Sequence, residues 1–267
     1  MTSLNLTIFT LFTITMLASL PARAALPTSA DPADARAPIY RTDNGPGPEY
    51  SDVAVEQSDG IDPIVTGSLK PRRLVIFLHG IRGSGSVMEA IGSSWKSILT
   101  DTTFVSPDAP FAHRAGGRQW FGVDDQVLRP DRIQAARRAF DDLISGIVKR
   151  EGFENDLDKV AFVGVSQGAI MGLDAVSTGR WKIGALVSFA GLLPLPPQSQ
   201  SGSGTPVLLM HGSADQTIPS AASTAASGQL KSAGYDVTLK VYPGVGHTIS
   251  TEEAREAGIF LRDRLIP

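Results

Sequence analysis

Six short apolar segments, alternating with stretches of helical spacing, account for most of the chain after residue 72. Each segment is rich in β-branched or other apolar residues on both faces and is bounded by Gly, Pro or Asp. Strands of this composition are typical of a parallel sheet that is covered on both sides. The segments span residues 74–78, 103–105, 160–165, 185–189, 207–210 and 237–241.

The stretches between these segments carry helix signals. Apolar residues recur at helical spacing from Ile133 to Val148, with charged residues on the opposite face. Ser250 and Glu253 form the capping-box pattern that begins a last helix. This alternation predicts an α/β fold over residues 72–267, with a mostly parallel central sheet and helices on both faces. A chain of 267 residues, 42% of them hydrophobic, can bury such a core.

The residues before this domain differ in composition. Residues 4–20 are apolar and uncharged, and Ala-Arg-Ala at 22–24 is a small-x-small cleavage site. We therefore expect residues 1–24 to be a secretory signal peptide and the protein to be periplasmic or secreted. Because no Lys or Arg precedes the apolar stretch, an uncleaved membrane anchor is the alternative. Repeated prolines predict a linker or extension over residues 25–71, in which 53–55 and 64–65 are candidate edge strands.

Composition excludes several functions. The formal net charge of −3, with no Lys/Arg run longer than a pair, argues against nucleic-acid binding. The chain has no cysteine, which rules out a disulfide, a thiolate nucleophile and a cysteine-based metal site. A covalent nucleophile must then be Ser, Thr, Lys, Tyr or a carboxylate. We expect neither a metal nor another cofactor.

Ser166 is the candidate nucleophile. Residues 164–168 read Gly-Val-Ser-Gln-Gly, the G-x-S-x-G spacing in which a strand turns sharply into a helix with serine at the apex. A buried-strand segment precedes the turn and a helix-forming segment follows it, so the helix N-terminus points to where negative charge develops during acyl transfer. The alternative is a glycine-rich strand-to-helix turn with an idle serine.

Asp215 and His247 follow Ser166 in the order expected of the acid and the base in such folds. Asp215 lies in the loop that leaves strand 207–210, and His247 lies in a glycine-rich loop before the last helix. An imidazole whose Nδ1–H is held by the carboxylate leaves Nε2 free to take the serine proton. The alternatives are an Asx-turn residue for Asp215 and a surface-loop histidine for His247.

Stabilising a tetrahedral oxyanion requires two backbone N–H donors. Gln167 follows the nucleophile directly, and Ile81 lies in the loop after the Leu-His-Gly sequence at 78–80. We expect these two amides to form the oxyanion hole.

The motifs together resemble one family. They are Leu-His-Gly at 78–80, Pro-Asp-Ala-Pro at 107–110, Gly-Gly at 116–117 ahead of Trp120, residues 164–168, His-Gly at 211–212 with Asp215 and Pro219, and Gly-His at 246–247. In order and rough spacing, from about residue 72 to residue 265, the chain resembles the phospholipase/carboxylesterase family, which includes the acyl-protein thioesterases. The resemblance implies an α/β-hydrolase fold with little or no lid that cleaves acyl esters or thioesters without a metal. By position it makes Ser166 the nucleophile, Asp215 the acid, His247 the base, and Ile81 and Gln167 the oxyanion amides.

Two features leave alternatives open. Members often have Gly-Asp where this chain continues Ile81 with Arg82 and Gly83, so Arg82 either biases the site toward acyl groups with a carboxylate or points to solvent. Trp120 either lines the acyl cleft or plugs the edge of the core. Asp108, between two prolines, is interpreted as a structural turn residue.

The sequence therefore predicts an exported serine hydrolase that cleaves small-molecule carboxylic acyl esters through an acyl-enzyme, with neither a nucleic-acid partner nor a stable membrane partner after signal cleavage. A polyester depolymerase or feruloyl-type esterase is the alternative within enzymes. An acyl thioesterase ranks lower, because export separates the protein from cytosolic lipidated proteins. A catalytically silent binding protein with the same fold is the alternative from another class.

Overall fold

A computed structural model of the protein describes residues 73–123, 129–199 and 204–265. The predicted signal peptide (1–24) and linker (25–71), with its two candidate edge strands, lie outside the described residues. Within the described ranges, no helix is both long and apolar enough to cross a membrane.

The central sheet contains six parallel strands. They are β1 (Arg73–Leu78), β2 (Thr102–Val105), β5 (Val160–Val165), β6 (Ala185–Phe189), β7 (Val207–Gly212) and β8 (Val237–Tyr242). Their order across the sheet is β2-β1-β5-β6-β7-β8. Each of the six predicted segments forms one of these strands, which confirms the α/β prediction.

Five helices cover the two faces of the sheet in the described part of the chain. They are α1 (Glu89–Trp95), α2 (Pro130–Arg150), α3 (Gln167–Ser177), α4 (Ala221–Ser232) and α5 (Thr251–Arg264). Helices α2, α3 and α4 pack on one face, and α1 and α5 pack on the other. Alternate strand residues divide between the two cores, as with Ile76 on the first face and Phe77 on the second.

The last helix begins as predicted. The Ser250 side chain accepts a hydrogen bond from the Glu253 N–H at 3.2 Å, and the Glu253 carboxylate accepts the Ser250 N–H at 2.8 Å. This reciprocal capping box satisfies two N–H groups that a helix start leaves without partners. The sequence did not predict α1, α4 or the two-residue strands β3 (Phe111–Ala112) and β4 (Arg118–Gln119), which pair antiparallel.

The sheet reverses its winding between β1 and β5. Strand β2 lies on one side of β1, and β5 lies on the other and leads to the remaining strands. Loops that leave adjacent strands at such a point run to opposite faces and open a crevice at the carboxyl edge. The loop after β1 and the turn after β5, which hold the predicted oxyanion and nucleophile residues, meet at this crevice.

A buried ionic network ties the helix after the nucleophile turn to α2. Asp174 of α3 is fully buried, and its carboxylate accepts two hydrogen bonds from Arg137 of α2, at 3.0 and 2.8 Å. Arg180 donates to the same carboxylate at 2.9 Å. The side chain of Asp174 is therefore compensated by two cations, which anchor α3 in the fold.

We predict that Asp174→Ala lowers the free energy of unfolding by about 1–3 kcal/mol, because it removes the carboxylate that two partly buried arginines share. Asp142→Ala is the control, since its carboxylate is exposed and lies 3.8 Å from Arg138 one turn away. Removing that pair is expected to change stability by about 0.5 kcal/mol or less. Urea denaturation measures both, and equal losses in the two variants would contradict the anchoring role.

Candidate active site

Ser166 stands at the apex of the turn between β5 and α3. Its backbone has φ 52° and ψ −117°, a strained conformation for a non-glycine residue, and its N–H donates to the Phe189 carbonyl oxygen at 3.0 Å. The flanking glycines are required by close approach. A Cβ on Gly168 would lie 2.1 Å from the Leu78 carbonyl oxygen, and one on Gly164 would lie 2.5 Å from the Ala169 nitrogen.

His247 lies between Ser166 and Asp215. Its Nε2 is 3.0 Å from the Ser166 Oγ, and its Nδ1 is 2.7 Å from the Asp215 Oδ2. Because a carboxylate only accepts hydrogen bonds, Nδ1 carries the proton in the neutral imidazole and Nε2 is the acceptor for the serine hydroxyl. The structure thus brings together the three side chains predicted from chain order, in a geometry that can move a proton off the serine.

The Asp215 carboxylate is buried, and hydrogen bonds hold both of its oxygens. Oδ1 accepts the N–H groups of Thr217 at 2.8 Å and Ile218 at 3.0 Å, while Oδ2 contacts His247. The Asp215 carboxylate thus forms an Asx-turn and also contacts the imidazole of His247. The Asx-turn fixes the carboxylate, and the fixed carboxylate orients the imidazole.

His211 contacts Asp215, which the sequence did not predict. Its buried ring places Nε2 2.7 Å from the Ile218 carbonyl oxygen and 3.2 Å from the Asp215 Oδ2, and Nδ1 2.7 Å from the Ser223 Oγ. Since both neighbours of Nε2 are acceptors, Nε2 carries a proton and donates toward them. His211 therefore helps to hold the carboxylate that holds His247. The His-Gly pair before Asp215 is the sequence signal that could have found it.

The loops that carry Asp215 and His247 brace each other. The Ala214 N–H donates to the Val245 carbonyl oxygen at 2.9 Å, and the Ser213 N–H donates to the Tyr242 carbonyl oxygen at 2.8 Å. A Cβ on Gly212 would lie 2.1 Å from the Val245 carbonyl oxygen. A glycine at this position allows the two loops to touch, which sets the distance between acid and base.

The predicted oxyanion donors lie on both sides of the serine. In the turn Gly80–Gly83, the Gly83 N–H donates to the Gly80 carbonyl oxygen at 3.1 Å, and a Cβ on Gly80 would lie 3.5 Å from the Ser166 Cβ. The Ile81 N–H has no acceptor within the described ranges. The Gln167 N–H belongs to the first turn of α3, where helical N–H groups lack an intrahelical partner. Both amides are thus available to bind a negatively charged oxygen.

His79 links the oxyanion turn to the loop that contains Ala109. Its Nε2 accepts the Ala109 N–H at 3.0 Å, so Nδ1 carries the proton and donates to the Gly80 carbonyl oxygen at 2.7 Å. Burial lowers the pKa of His79 below its ordinary value of 6.5. The hydrogen bond to Gly80 acts in the opposite direction, but its effect is smaller. His79 is accordingly neutral in the folded protein at neutral pH.

The Gln167 side chain has a structural role that the sequence did not reveal. Its Oε1 accepts the Trp120 N–H at 2.7 Å, and its Nε2 donates to the Phe121 carbonyl oxygen at 2.8 Å. The Trp120 side chain is 1% exposed, donates from Nε1 to the His79 carbonyl oxygen at 2.8 Å and packs edge-on against Phe140. The structure therefore places Trp120 in the core and not on an open cleft wall, because its indole is enclosed by aromatic neighbours.

Two further residues of the sequence analysis have clear positions. Asp108 accepts the Gly85 N–H at 2.7 Å, in keeping with its interpretation as a turn residue. Arg82 is exposed, with φ 63°, next to Ile81 in the oxyanion turn.

Comparison with known proteins identifies the family of the chain. The sequence profile of the family described as Phospholipase/Carboxylesterase matches residues 60–265. Esterase YpfH of Escherichia coli (strain K12) is 30% identical over 203 aligned positions, covering 74% of this chain and 86% of that protein. Acyl-protein thioesterase 1 of Gibberella zeae is 29% identical, covering 72% of this chain and 91% of that protein. The crystal structure of esterase PE8 matches with a TM-score of 0.66 at 29% identity, covering 73% of this chain and 93% of that one.

The chain belongs to the phospholipase/carboxylesterase family. Membership confirms the resemblance that the motifs predicted, and the structural neighbours confirm the α/β-hydrolase fold. With relatives named as esterases and thioesterases, the chain is a carboxylesterase-like hydrolase. The family match begins at residue 60, inside the segment 25–71 predicted to be linker.

We predict that His79 makes the stability of this family member pH-dependent. Because its folded-state pKa is lowered, its contribution to the free energy of unfolding is fully present above about pH 6.5 and is lost as pH falls through the folded-state pKa. His79→Gln cannot ionise, so it should be less stable at about pH 8 by about 1–3 kcal/mol and should lose less stability on acidification. Urea denaturation across this pH range measures both effects. Parallel pH profiles for wild type and variant would show that His79 does not contribute.

Proposed function

We propose that this protein is an exported serine hydrolase that cleaves carboxylic acyl esters through a covalent acyl-enzyme. Ser166 is the nucleophile, His247 the general base and Asp215 the acid that orients it. The Ile81 and Gln167 amides form the oxyanion hole. No cofactor takes part.

One observation carries the proposal. The Ser166 Oγ, both ring nitrogens of His247 and the Asp215 carboxylate form one continuous series of contacts, at 3.0 and 2.7 Å, on a strained nucleophile turn. A serine hydroxyl is a weak nucleophile until a positioned base removes its proton, and this series supplies such a base. A serine without a catalytic role would not explain the strained backbone at Ser166 or the buried carboxylate that contacts the imidazole.

Acylation begins when a substrate carbonyl carbon approaches Ser166. His247 Nε2 takes the hydroxyl proton as the serine oxygen bonds to that carbon, and the carbonyl electron pair moves to oxygen. The Ile81 and Gln167 N–H groups donate to this oxyanion, each contributing about 3 kcal/mol to transition-state stabilisation. The oxyanion collapses, the ester C–O bond breaks, and His247 gives its proton to the departing alkoxide. The alcohol leaves and the acyl group stays on Ser166.

Deacylation repeats these steps with water. His247 Nε2 takes a proton from a water molecule, whose oxygen attacks the acyl carbonyl, and the same two amides bind the second oxyanion. The bond to the Ser166 oxygen then breaks, and His247 returns the proton to that oxygen. The carboxylic acid is released and the free enzyme is restored. The Asp215 carboxylate stabilises the imidazolium in both halves of the reaction.

Export is part of the proposal and rests on residues 1–24, with their uncharged apolar stretch and small-x-small site. It bears on the choice between esters and thioesters. Relatives named Acyl-protein thioesterase 1 make acyl thioesters a second candidate substrate class. Outside the cytosol the chain does not meet cytosolic lipidated proteins, so small acyl esters remain the preferred class. A polyester or a feruloyl ester would use the same chemistry.

We predict that a fluorophosphonate probe labels Ser166 and that Ser166→Ala lowers kcat/KM for 4-nitrophenyl butyrate at least about a thousandfold, because the nucleophile is lost. Ser188→Ala is the matched control, since this nearby buried serine has no hydrogen-bond partner within the described ranges. Circular dichroism confirms that each variant is folded. A folded Ser166→Ala protein that still turns over the ester at the wild-type rate would overturn the assignment.

The substrate class is tested with the same wild-type protein. Butyryl esters and butyryl thioesters are compared for kcat/KM beside polyhydroxybutyrate and a feruloyl ester. Highest turnover of the acyl esters supports the proposal. A preference for the thioester, for the polymer or for the feruloyl ester would assign that class instead and leave the Ser166 mechanism intact.

A further inference from the structure

Arg82 occupies a backbone conformation that favours glycine. It is the third residue of the turn Gly80–Gly83, and its φ is 63°. An L residue in the left-handed region costs about 1–2 kcal/mol relative to an ordinary conformation. Such strain clusters at functional sites, and Ser166, with φ 52°, is one of the three other non-glycine residues with positive φ in the described ranges. The needs of the turn itself do not explain a long cationic side chain at this position.

The Arg82 guanidinium is an available cation. The residue is exposed, and its side chain has no hydrogen-bond or ion-pair partner within residues 73–123, 129–199 and 204–265. The guanidinium of the neighbouring Arg118, by contrast, is bound within the fold. Arg118 donates to the Ala109 carbonyl oxygen at 2.8 Å and to the Pro110 carbonyl oxygen at 2.9 Å. Arg82 therefore differs from a structural arginine, whose head group is bound within the fold.

The surroundings of Arg82 are locally positive. Its N–H donates to the Arg118 carbonyl oxygen at 2.8 Å, and the Arg118 N–H donates to the Gly83 carbonyl oxygen at 2.9 Å, which joins the oxyanion turn to the β3–β4 hairpin. Residues 79–89 and 106–123 together hold Arg82, Arg114 and Arg118 against two carboxylates, Glu89 and Asp108. This excess of positive charge occurs in a chain whose formal net charge is −3. An anion is therefore favoured at this part of the site.

The sheet order separates Arg82 from the histidine that protonates the leaving oxygen. The leaving oxygen must be within reach of His247, which follows β8. Arg82 follows β1, and β1 and β8 lie on opposite sides of β5, the strand that leads to Ser166. Arg82 is thus on the side of the nucleophile away from His247, next to the Ile81 N–H that binds the carbonyl oxygen in the proposed mechanism. Because the carbonyl group belongs to the acyl part of the ester, the acyl part is a nearer partner for Arg82 than the leaving group.

We propose that Arg82 binds a carboxylate on the acyl part of the substrate, so that the preferred substrates are monoesters of short dicarboxylic acids. This inference rests on the proposed serine esterase function. The carbonyl oxygen sits on the Ile81 N–H, and the neighbouring guanidinium pairs with the acid group at the other end of the acyl chain. No covalent step changes, because Arg82 only binds and orients the acyl group.

The test compares substrates that differ by one charge. These are the 4-nitrophenyl monoesters of glutaric and adipic acid and their neutral methyl esters, with release of 4-nitrophenolate as the readout and the enzyme-free rate subtracted. We expect the ratio of kcat/KM, anionic over neutral, to fall at least about fivefold in Arg82→Gly, as for loss of a charge-assisted hydrogen bond. Glycine suits the left-handed backbone, so the turn keeps its shape.

Two control variants accompany the test. Arg82→Lys keeps the charge and should retain most of the selectivity ratio. The Arg138 side chain on α2 is 93% exposed, so Arg138→Gln removes a surface cation and should keep the wild-type ratio. An unchanged ratio in Arg82→Gly would overturn the proposal, even if both rates fall together, because a purely structural role of the turn lowers both alike.

Two further outcomes are tested separately. One is whether Arg82 binds a carboxylate on the acyl part or on the leaving group, and the other is whether the proposed esterase function itself holds. An Arg82-dependent preference for 4-acetoxybenzoate over its methyl ester, with none for the glutarate pair, would place the anion on the leaving group and overturn the acyl-side assignment. Turnover of the neutral esters with no Arg82-dependent selectivity refutes the Arg82 proposal alone. Absence of turnover for every ester, with no fluorophosphonate label on Ser166, refutes the proposed function itself.

Discussion

The close approach of helix α3 to the carboxyl end of strand β1 determines the geometry of the whole site. Glycine at positions 164 and 168 removes the side-chain atoms that would collide with neighbouring backbone at 2.5 and 2.1 Å. The contact brings the first N–H groups of α3 next to the oxyanion turn. It also holds Ser166 in a strained conformation, which the burial of every α3 residue and the Asp174 network compensate.

The base depends on a second contact, between the loops after β7 and β8. His247 lies in a loop without regular secondary structure, so its position follows from the hydrogen bonds that join this loop to residues 213 and 214. Asp215 is fixed in turn by two backbone amides and by His211. The orientation of the His247 imidazole is therefore fixed by backbone hydrogen bonds and by buried side chains. Such contacts pre-organise a reactive group that lies on a loop.

Chain order and periodicity predicted the six strands, the capped last helix and the three side chains that meet at the site. These features depend on local pattern and on the shared edge of parallel strands. The β3–β4 hairpin escaped prediction because two-residue strands have no periodicity, and α4 because its small residues form a weak apolar stripe. The burial of Trp120, the clamp formed by the Gln167 side chain and the contact of His211 with Asp215 depend on neighbours distant in sequence. A single sequence does not show which distant side chains meet.

The proposed mechanism requires a covalent bond between Ser166 and the acyl group. The direct measurement is acid quenching of the wild-type protein during turnover of 4-nitrophenyl acetate, an activated ester for which deacylation is the slow step, followed by peptide mass spectrometry. If Ser166 is the nucleophile, we expect a rapid burst of 4-nitrophenolate close to one equivalent per enzyme and an acetyl group on the peptide that contains Ser166. Turnover with no burst and no acetylated Ser166, or an acetyl group on a different residue, would contradict it.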